Sequence, residues 1–455
     1  MKQVVLASGL GFYGDNWEPV VASLTRGHAQ YGTANYVCSD HLSELTLAIL
    51  QKDRAVDASL GYARDVVPML LRLWPHMKQC GAKFICNAGG LNPESAGAAV
   101  QQALAAKGFQ PKIAIVTGDD VLGDVQSVQS TSGTRDDLVF ANAYLGARPV
   151  VDALRQGADI VITGRVADAA LFLAPLVFEF DWKLEDATLD IDLNRLAQGI
   201  TIGHLMECSG QGSGGNFGSL DAWKAIPDLA HIGYPMAAVQ ANGDAVLTKA
   251  DGTGGRVSFD TLRQQLLYEV HDPNAYLTPD VVLDMSTLQL VDLGNDQVAV
   301  TGASGRRRPE QLKVVGGYRS GFKSEVTWGF SWPNAWDKTQ AAIEMIRTQL
   351  TEKKIPHDEL FIEYPGLNSA HGALAPLPSV DALNELNEIY VRIVLKTQVK
   401  SAAVGFGRLF PWMGLSGPAY TCGFSGLHNT SELLGIWTGL IDRDRVMAQV
   451  KVSLL

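Results

Sequence analysis

What most constrains the fold of this chain is a rhythm in its first half. Five short apolar runs, residues 4–7, 34–38, 84–86, 113–116 and 159–162, each break at a turn bearing glycine or an acid, and helical patterns lie between them. Strands that alternate with helices imply an α/β fold with a mostly parallel sheet core covered by helices. The uninterrupted apolar character of the runs fits burial on both faces. In such sheets ligands sit beyond the carboxyl ends of the strands. The polar residues of the turns, Asp15 and Asp40 among them, are therefore the first candidates for a site.

The turn Asn87-Ala-Gly-Gly-Leu-Asn-Pro93 is the most pointed of these. Gly89 and Gly90 permit close backbone approach or positive φ. Asn92 and Pro93 suit the cap and first position of a helix. The free N–H groups of that helix start, flanked by Asn87 and Ser95, suit an anionic ligand. In Gly164-Arg-Val-Ala-Asp168, Arg165 offers a planar fork for a carboxylate or phosphate, and Asp168 suits a helix start. The plainer reading is a local Arg165–Asp168 pair that orders that start. Asp119-Asp120 is a base or metal-ligand candidate, weighed against ordinary turn chemistry.

A second notable run is Thr201-Ile-Gly-His-Leu-Met-Glu-Cys208, followed by glycine-rich sequence through Gly214 and Gly215. On a helix His204 and Glu207 share a face, as an acid/base pair or paired ligands would. The glycines let the backbone fold tightly round a ligand or another chain. Gly9-Leu-Gly-Phe-Tyr-Gly14 has the dinucleotide spacing, but Phe12 and Tyr13 are bulky for that turn and no acid clearly ends a second strand about 20 residues on. Zinc-protease, P-loop and serine-hydrolase patterns do not occur. His271 stands beside a carboxylate or at a helix C-terminus closed by Pro273, and His371 and His428 fall in loops. The cofactor is left unknown: no pattern requires one, and the acids are compatible with a divalent metal.

Composition narrows the class further. The net charge is −11 and the basic cluster Arg306-Arg307-Arg308 stands alone, so nucleic acid is not an expected partner. No apolar run reaches membrane-spanning length. The first residues read as a strand rather than a signal peptide. Five scattered cysteines, never spaced as CxxC, fit reduced thiols and a cytoplasmic location.

After about residue 235 the texture changes. Asn242-Gly243 between two apolar runs signals a hairpin, and strand-like runs follow to about residue 329. Residues 336–353 form an amphipathic helical pattern. The expected organisation is an α/β core at 1–240, a β-rich section at 241–332 and a small α+β domain at 333–455. A homo-oligomer is the base-rate expectation.

Several segments together resemble the acyclic terpene utilisation proteins of the AtuA type. They are Ser39-Asp40-His-Leu-Ser-Glu44, Asn87 to Pro93, Ile162-Thr-Gly-Arg-Val-Ala-Asp168, Gly203-His-Leu-Met-Glu-Cys-Ser-Gly-Gln211 with Gly214-Gly-Asn-Phe217, and Tyr268-Glu-Val-His-Asp-Pro273 with Tyr276-Leu-Thr-Pro-Asp280. The resemblance covers nearly the whole chain. It implies bacterial catabolism of acyclic terpenoids and branched carboxylic acids, and a small companion protein. Joined to the residues, it leads to an expected lyase or hydratase acting on a small carboxylate or acyl-CoA. Arg165 and the Asn92 helix start would hold the substrate, with Asp168, Glu207, Asp120 and His204 as acid/base candidates. The alternatives are a non-catalytic ligand-binding or scaffold subunit, and an NAD(P)- or flavin-dependent oxidoreductase.

Overall fold

The structure is a computed structural model that describes residues 2–184, 189–218 and 220–455. Met1, the first residue of the expected first strand, lies outside the described residues. The chain divides into two compact units, residues 1–317 with 436–455, and residues 318–435. Both units mix helices and strands.

The first unit is built on a ten-stranded mixed sheet. Its centre is Gln3–Ser8, Tyr36–Ser39, Lys83–Cys86, Ile160–Thr163 and Ile113–Thr117, in that spatial order and all parallel. Val37, Phe84, Ile113, Ile160 and Ile162 on these strands are fully buried, each contributing about 1.5–3 kcal/mol by leaving water. Antiparallel strands extend the sheet on both flanks. On one side Pro235–Gln240 pairs with the first strand, followed by Ala245–Lys249, Gln297–Thr301 and Gln289–Gly294. On the other, Lys451–Leu454 pairs with Ile113–Thr117. Five of the nine pairings in this sheet are therefore antiparallel and four parallel, so the mostly parallel sheet expected from the βα rhythm holds only for its centre.

The Asn242-Gly243 turn joins the first two flanking strands, with Gly243 at φ +99°. Strands read from sequence as a β-rich section thus continue the sheet of the first half. Divisions near 240 and 332 mark changes of texture, whereas the compact units divide at 317 and 435. Only Pro235–Gln240 bonds directly to Gln3–Ser8, and Ala245–Lys249, Gln297–Thr301 and Gln289–Gly294 join the layer through it in turn.

The second unit has antiparallel strands Glu359–Glu363 and Glu388–Thr397, the latter paired with the 322–331 part of Gln311–Ser331. The helix Ala335–Glu352 buries Ala342, Ile343, Ile346 and Leu350 into a core with Trp328, Phe330 and Phe410. Among the described residues no helix is long and apolar enough to cross a membrane.

Candidate active site

Parallel register determines which side chains meet. Ser8 pairs with Cys38, Ser39 with Cys86, Cys86 with Ile162, and Val116 with Thr163. Asp40, Asn87, Arg165 and Asp119 each follow one of those strand ends by one or two residues, so all four emerge at one edge. The Asn87 amide donates to Asp40 Oδ1, and its carbonyl oxygen accepts the His41 N–H at 2.7 Å. Asp119 Oδ2 accepts the Arg165 N–H at 2.8 Å and the Asn142 amide at 2.8 Å.

Arg165 is 2% exposed and is the hub of this edge. Its Nη1 donates to the Leu42 carbonyl at 2.8 Å and its Nη2 to Asp168 Oδ1 at 2.6 Å. The guanidinium carbon lies 4.0 Å from the centre of the Tyr144 ring, an added cation–π attraction. Tyr144 donates to Glu44 Oε1 at 2.9 Å, where Lys313 also donates at 3.2 Å. The fork expected to grip a ligand is therefore committed to protein atoms; only Nε lacks a partner.

His204 and Glu207 end the helix Asp190–Met206 and its cap, and both are buried. His204 Nδ1 faces Glu207 Oε1 at 3.0 Å, and Nε2 faces the Leu266 carbonyl at 3.2 Å. Glu207 Oε2 is buried and meets no hydrogen-bond partner. Burial pushes the Glu207 carboxyl up to about 7; His204 opposes this and the charge of Asp168 adds to it. Burial disfavours the charged form of His204, but Glu207, the Leu266 carbonyl and Glu269 together outweigh it and raise the imidazole.

Burial likewise lifts Asp40 well above the usual carboxylate range, with Asp168 and Glu207 adding repulsion and Arg165 and Asn87 opposing. Asp40, Asp168 and Glu207 therefore share one electrostatic neighbourhood. Asp168 is its open side, with 28% of the side chain exposed, whereas Asp40 and Glu207 are 6% and 4% exposed. Burial also brings Asp119 to about 6, against the pull of the Arg165 N–H. Among the described residues no group of three or more His, Cys, Asp and Glu side chains is arranged to hold a metal ion.

The glycine turns serve packing. A Cβ on Gly89 would lie 2.5 Å from the Thr163 carbonyl oxygen, and Gly90, at φ +52°, faces Leu50 and the Gly61 carbonyl. Asn92 caps the helix Pro93–Ala105 through Ser95 N–H and donates to the Ala58 and Leu60 carbonyls. Asn92, Ser95 and Gly90 thus belong to a tightly closed turn, and Asn87 is the member that reaches the carboxyl cluster. Gly214, at φ +99°, packs on Ile226, and Gly215 approaches the Gly210 carbonyl. Cβ atoms on Gly9 and Gly11 would strike Ser39 and the Cys208–Ser209 backbone. The protein itself thus occupies the cradle that a dinucleotide turn offers to pyrophosphate. Asp120 is exposed and accepts the Leu122 N–H in a local turn, so Asp119 is the inward member of that pair. His271, His371 and His428 are exposed.

Tyr144, Lys313 and Gln265 went unread in the sequence. Gln265 is 1% exposed, donates to the His204 carbonyl at 2.9 Å and accepts from Gln211 at 2.8 Å. No spacing rule links positions so far apart, although Tyr144 does sit just past the strand Leu138–Ala143. A cavity of about 710 Å³ opens beyond Gly146, between Arg148, Asp280, Arg308 and Arg443. Its lining holds three arginines and three aspartates, so formal charge does not favour an anion there.

No curated protein matches this chain. The profile of the acyclic terpene utilisation family protein AtuA matches residues 4–452, a span containing every side chain of the carboxyl cluster. The chain belongs to the acyclic terpene utilisation family AtuA.

Proposed function

We propose that this protein is a catabolic enzyme of the acyclic terpene and branched carboxylic acid type, a lyase or hydratase that works by proton transfer. The observation that carries this reading is Glu207: a buried carboxyl with one oxygen unpartnered and a proton affinity raised to about 7. A general acid or base works best with its pKa near the operating pH. Asp168 stands at the open side of the same neighbourhood and is the second acid/base group. Arg165 positions Asp168 and the Leu42 carbonyl. Of the two substrate classes, an acyl thioester is the better fit, because its reacting end is neutral. A free carboxylate would find the Arg165 guanidinium already engaged by Asp168 and the Leu42 carbonyl.

Turnover of enoyl- and hydroxyacyl-thioesters against hydroxy-dicarboxylates, with and without a small companion protein, tests this reading. Glu207→Gln is expected to lower kcat by about 10²–10⁴-fold; full activity in that variant removes Glu207 from the chemistry. The alternative is a scaffold subunit whose partner does the reaction. Turnover by the purified chain alone would exclude it.

A further inference from the structure

One atom outside the motif that carries His204 and Glu207 determines where their proton can sit. The helix Phe259–Leu267 ends beside them. Its Leu266 carbonyl is among the last four of a helix, which lack intrahelical donors, and His204 Nε2 lies 3.2 Å from it. A carbonyl only accepts, so Nε2 must carry a hydrogen. Nδ1, 3.0 Å from Glu207 Oε1, is then left to share one proton with that oxygen. One residue earlier, Gln265 holds the His204 carbonyl and, through Gln211, the glycine-rich turn that follows Cys208.

We propose that His204 and Glu207 form a one-proton relay whose exchanging atom is Glu207 Oε2, and that Gln265 and Leu266 are the positioning residues that fix its direction. This rests on the proton-transfer reading above and deepens it. The resting pair holds one proton between Nδ1 and Oε1, with Nε2 protonated. A proton leaving the ligand forms a bond to Oε2 while the Oε1–H bond breaks and its proton completes the Nδ1–H bond. The ligand keeps the electron pair, and the pair becomes an imidazolium beside a neutral carboxyl. The reverse motion returns a proton to the ligand, so no oxidant, reductant or further reactant enters.

The imidazolium is favoured by the negative end of the helix Phe259–Leu267. The charged and titratable groups facing the pair are Asp168 and Asp40 from the strand-end loops, Cys208 beside it, and Glu269, Tyr268 and Tyr276 beyond that helix. The Tyr276 ring lies 5.4 Å from the His204 ring, centre to centre.

Nitrogen-15 NMR of histidine-labelled protein reads the tautomer without any substrate. The expected result is an Nε2-protonated His204 whose Nδ1 is hydrogen-bonded. In Glu207→Gln the His204 midpoint should fall by about one pH unit or more. A His204 with bare Nε2, or a midpoint indifferent to Glu207→Gln, overturns the relay. The wild-type tautomer decides the matter even where that variant does not fold. For the positioning role, Gln265→Leu should speed Nε2–H exchange at least tenfold and, given a substrate, lower kcat rather than raise KM; unchanged exchange removes Gln265 from the proposal. If the tautomer is as expected and no thioester is turned over, the functional reading fails alone.

Discussion

The two units bury very different things. In residues 318–435 the buried polar side chains among the described residues are Ser324, Thr339 and Thr397, all hydroxyls, set in a core of Trp328, Phe330, Phe406 and Phe410. The other unit buries Asp40, Asp119, Arg165, His204 and Glu207. Burying a charge is costly unless it is paired and hydrogen-bonded, and an apolar replacement is often as stable. The first unit keeps its charges where strand ends converge, and leaves Glu207 Oε2 and Arg165 Nε without partners. Stability alone does not account for that arrangement.

The sharpest way to break the contrast is to remove one member from each core. Arg165→Ala strands Asp168 and the Leu42 carbonyl and should cost about 3–5 kcal/mol, with loss of the His204 titration signature. Trp328→Ala should cost a similar ~3–5 kcal/mol through its cavity, yet leave that signature in place. Urea unfolding with NMR of His204 checks both. An intact signature in Arg165→Ala would mean that the cluster is not one unit.

A smaller effect comes from pH. Asp119 and Glu207 bind protons more tightly folded, at about 6 and about 7, than an ordinary carboxylate does, and His204 is raised as well. The folded unit then holds more protons than the unfolded chain above about pH 4, so stability should fall as pH rises toward 7. The slope is at most ~1.4 kcal/mol per pH unit for each group. Glu44 acts oppositely and lower: burial resists, but backbone donors and Lys313 bring it to about 2, so its contribution is lost below about pH 4. Unfolding free energies measured at pH 5 and 7.5 should decrease; an increase would contradict the shifts of the buried pair.

Gly89→Ala presses a methyl onto the Thr163 carbonyl and should cost about 1–3 kcal/mol, read as a lower Tm. Smallest of all is Ser324→Ala in the second unit. It removes a buried hydroxyl that has no partner and should change stability by no more than ~1 kcal/mol, in the stabilising direction. A large loss there would show that this core too depends on a polar contact.

These contrasts also show what the residue order could convey. Strand ends bearing Asp40, Asn87, Asp119 and Arg165 were legible because an apolar run followed by a turn is a local pattern. His204 and Glu207 were legible through helical spacing. The direction of the Arg165 fork was not, since Leu42 and Tyr144 meet it from elements far away in sequence. Nor was the role of Gly89 and Gly90, whose nearest obstacles are Thr163, Leu50 and Gly61 rather than a ligand. Long-range pairing explains the sheet likewise: Lys451–Leu454 sits beside Ile113–Thr117, and nothing near either segment announces it.

That last pairing has a consequence for biosynthesis. Gln449 donates to the Gly118 and Asp120 carbonyls across 331 and 329 residues, just ahead of the strand that covers the Ile113–Thr117 edge. While the chain is being made, that edge and the Asp119 loop must wait unpaired until the ribosome has passed residue 454. An open strand edge invites association with other chains. Deleting residues 451–454 would therefore be expected to produce aggregation rather than a working protein with one strand fewer.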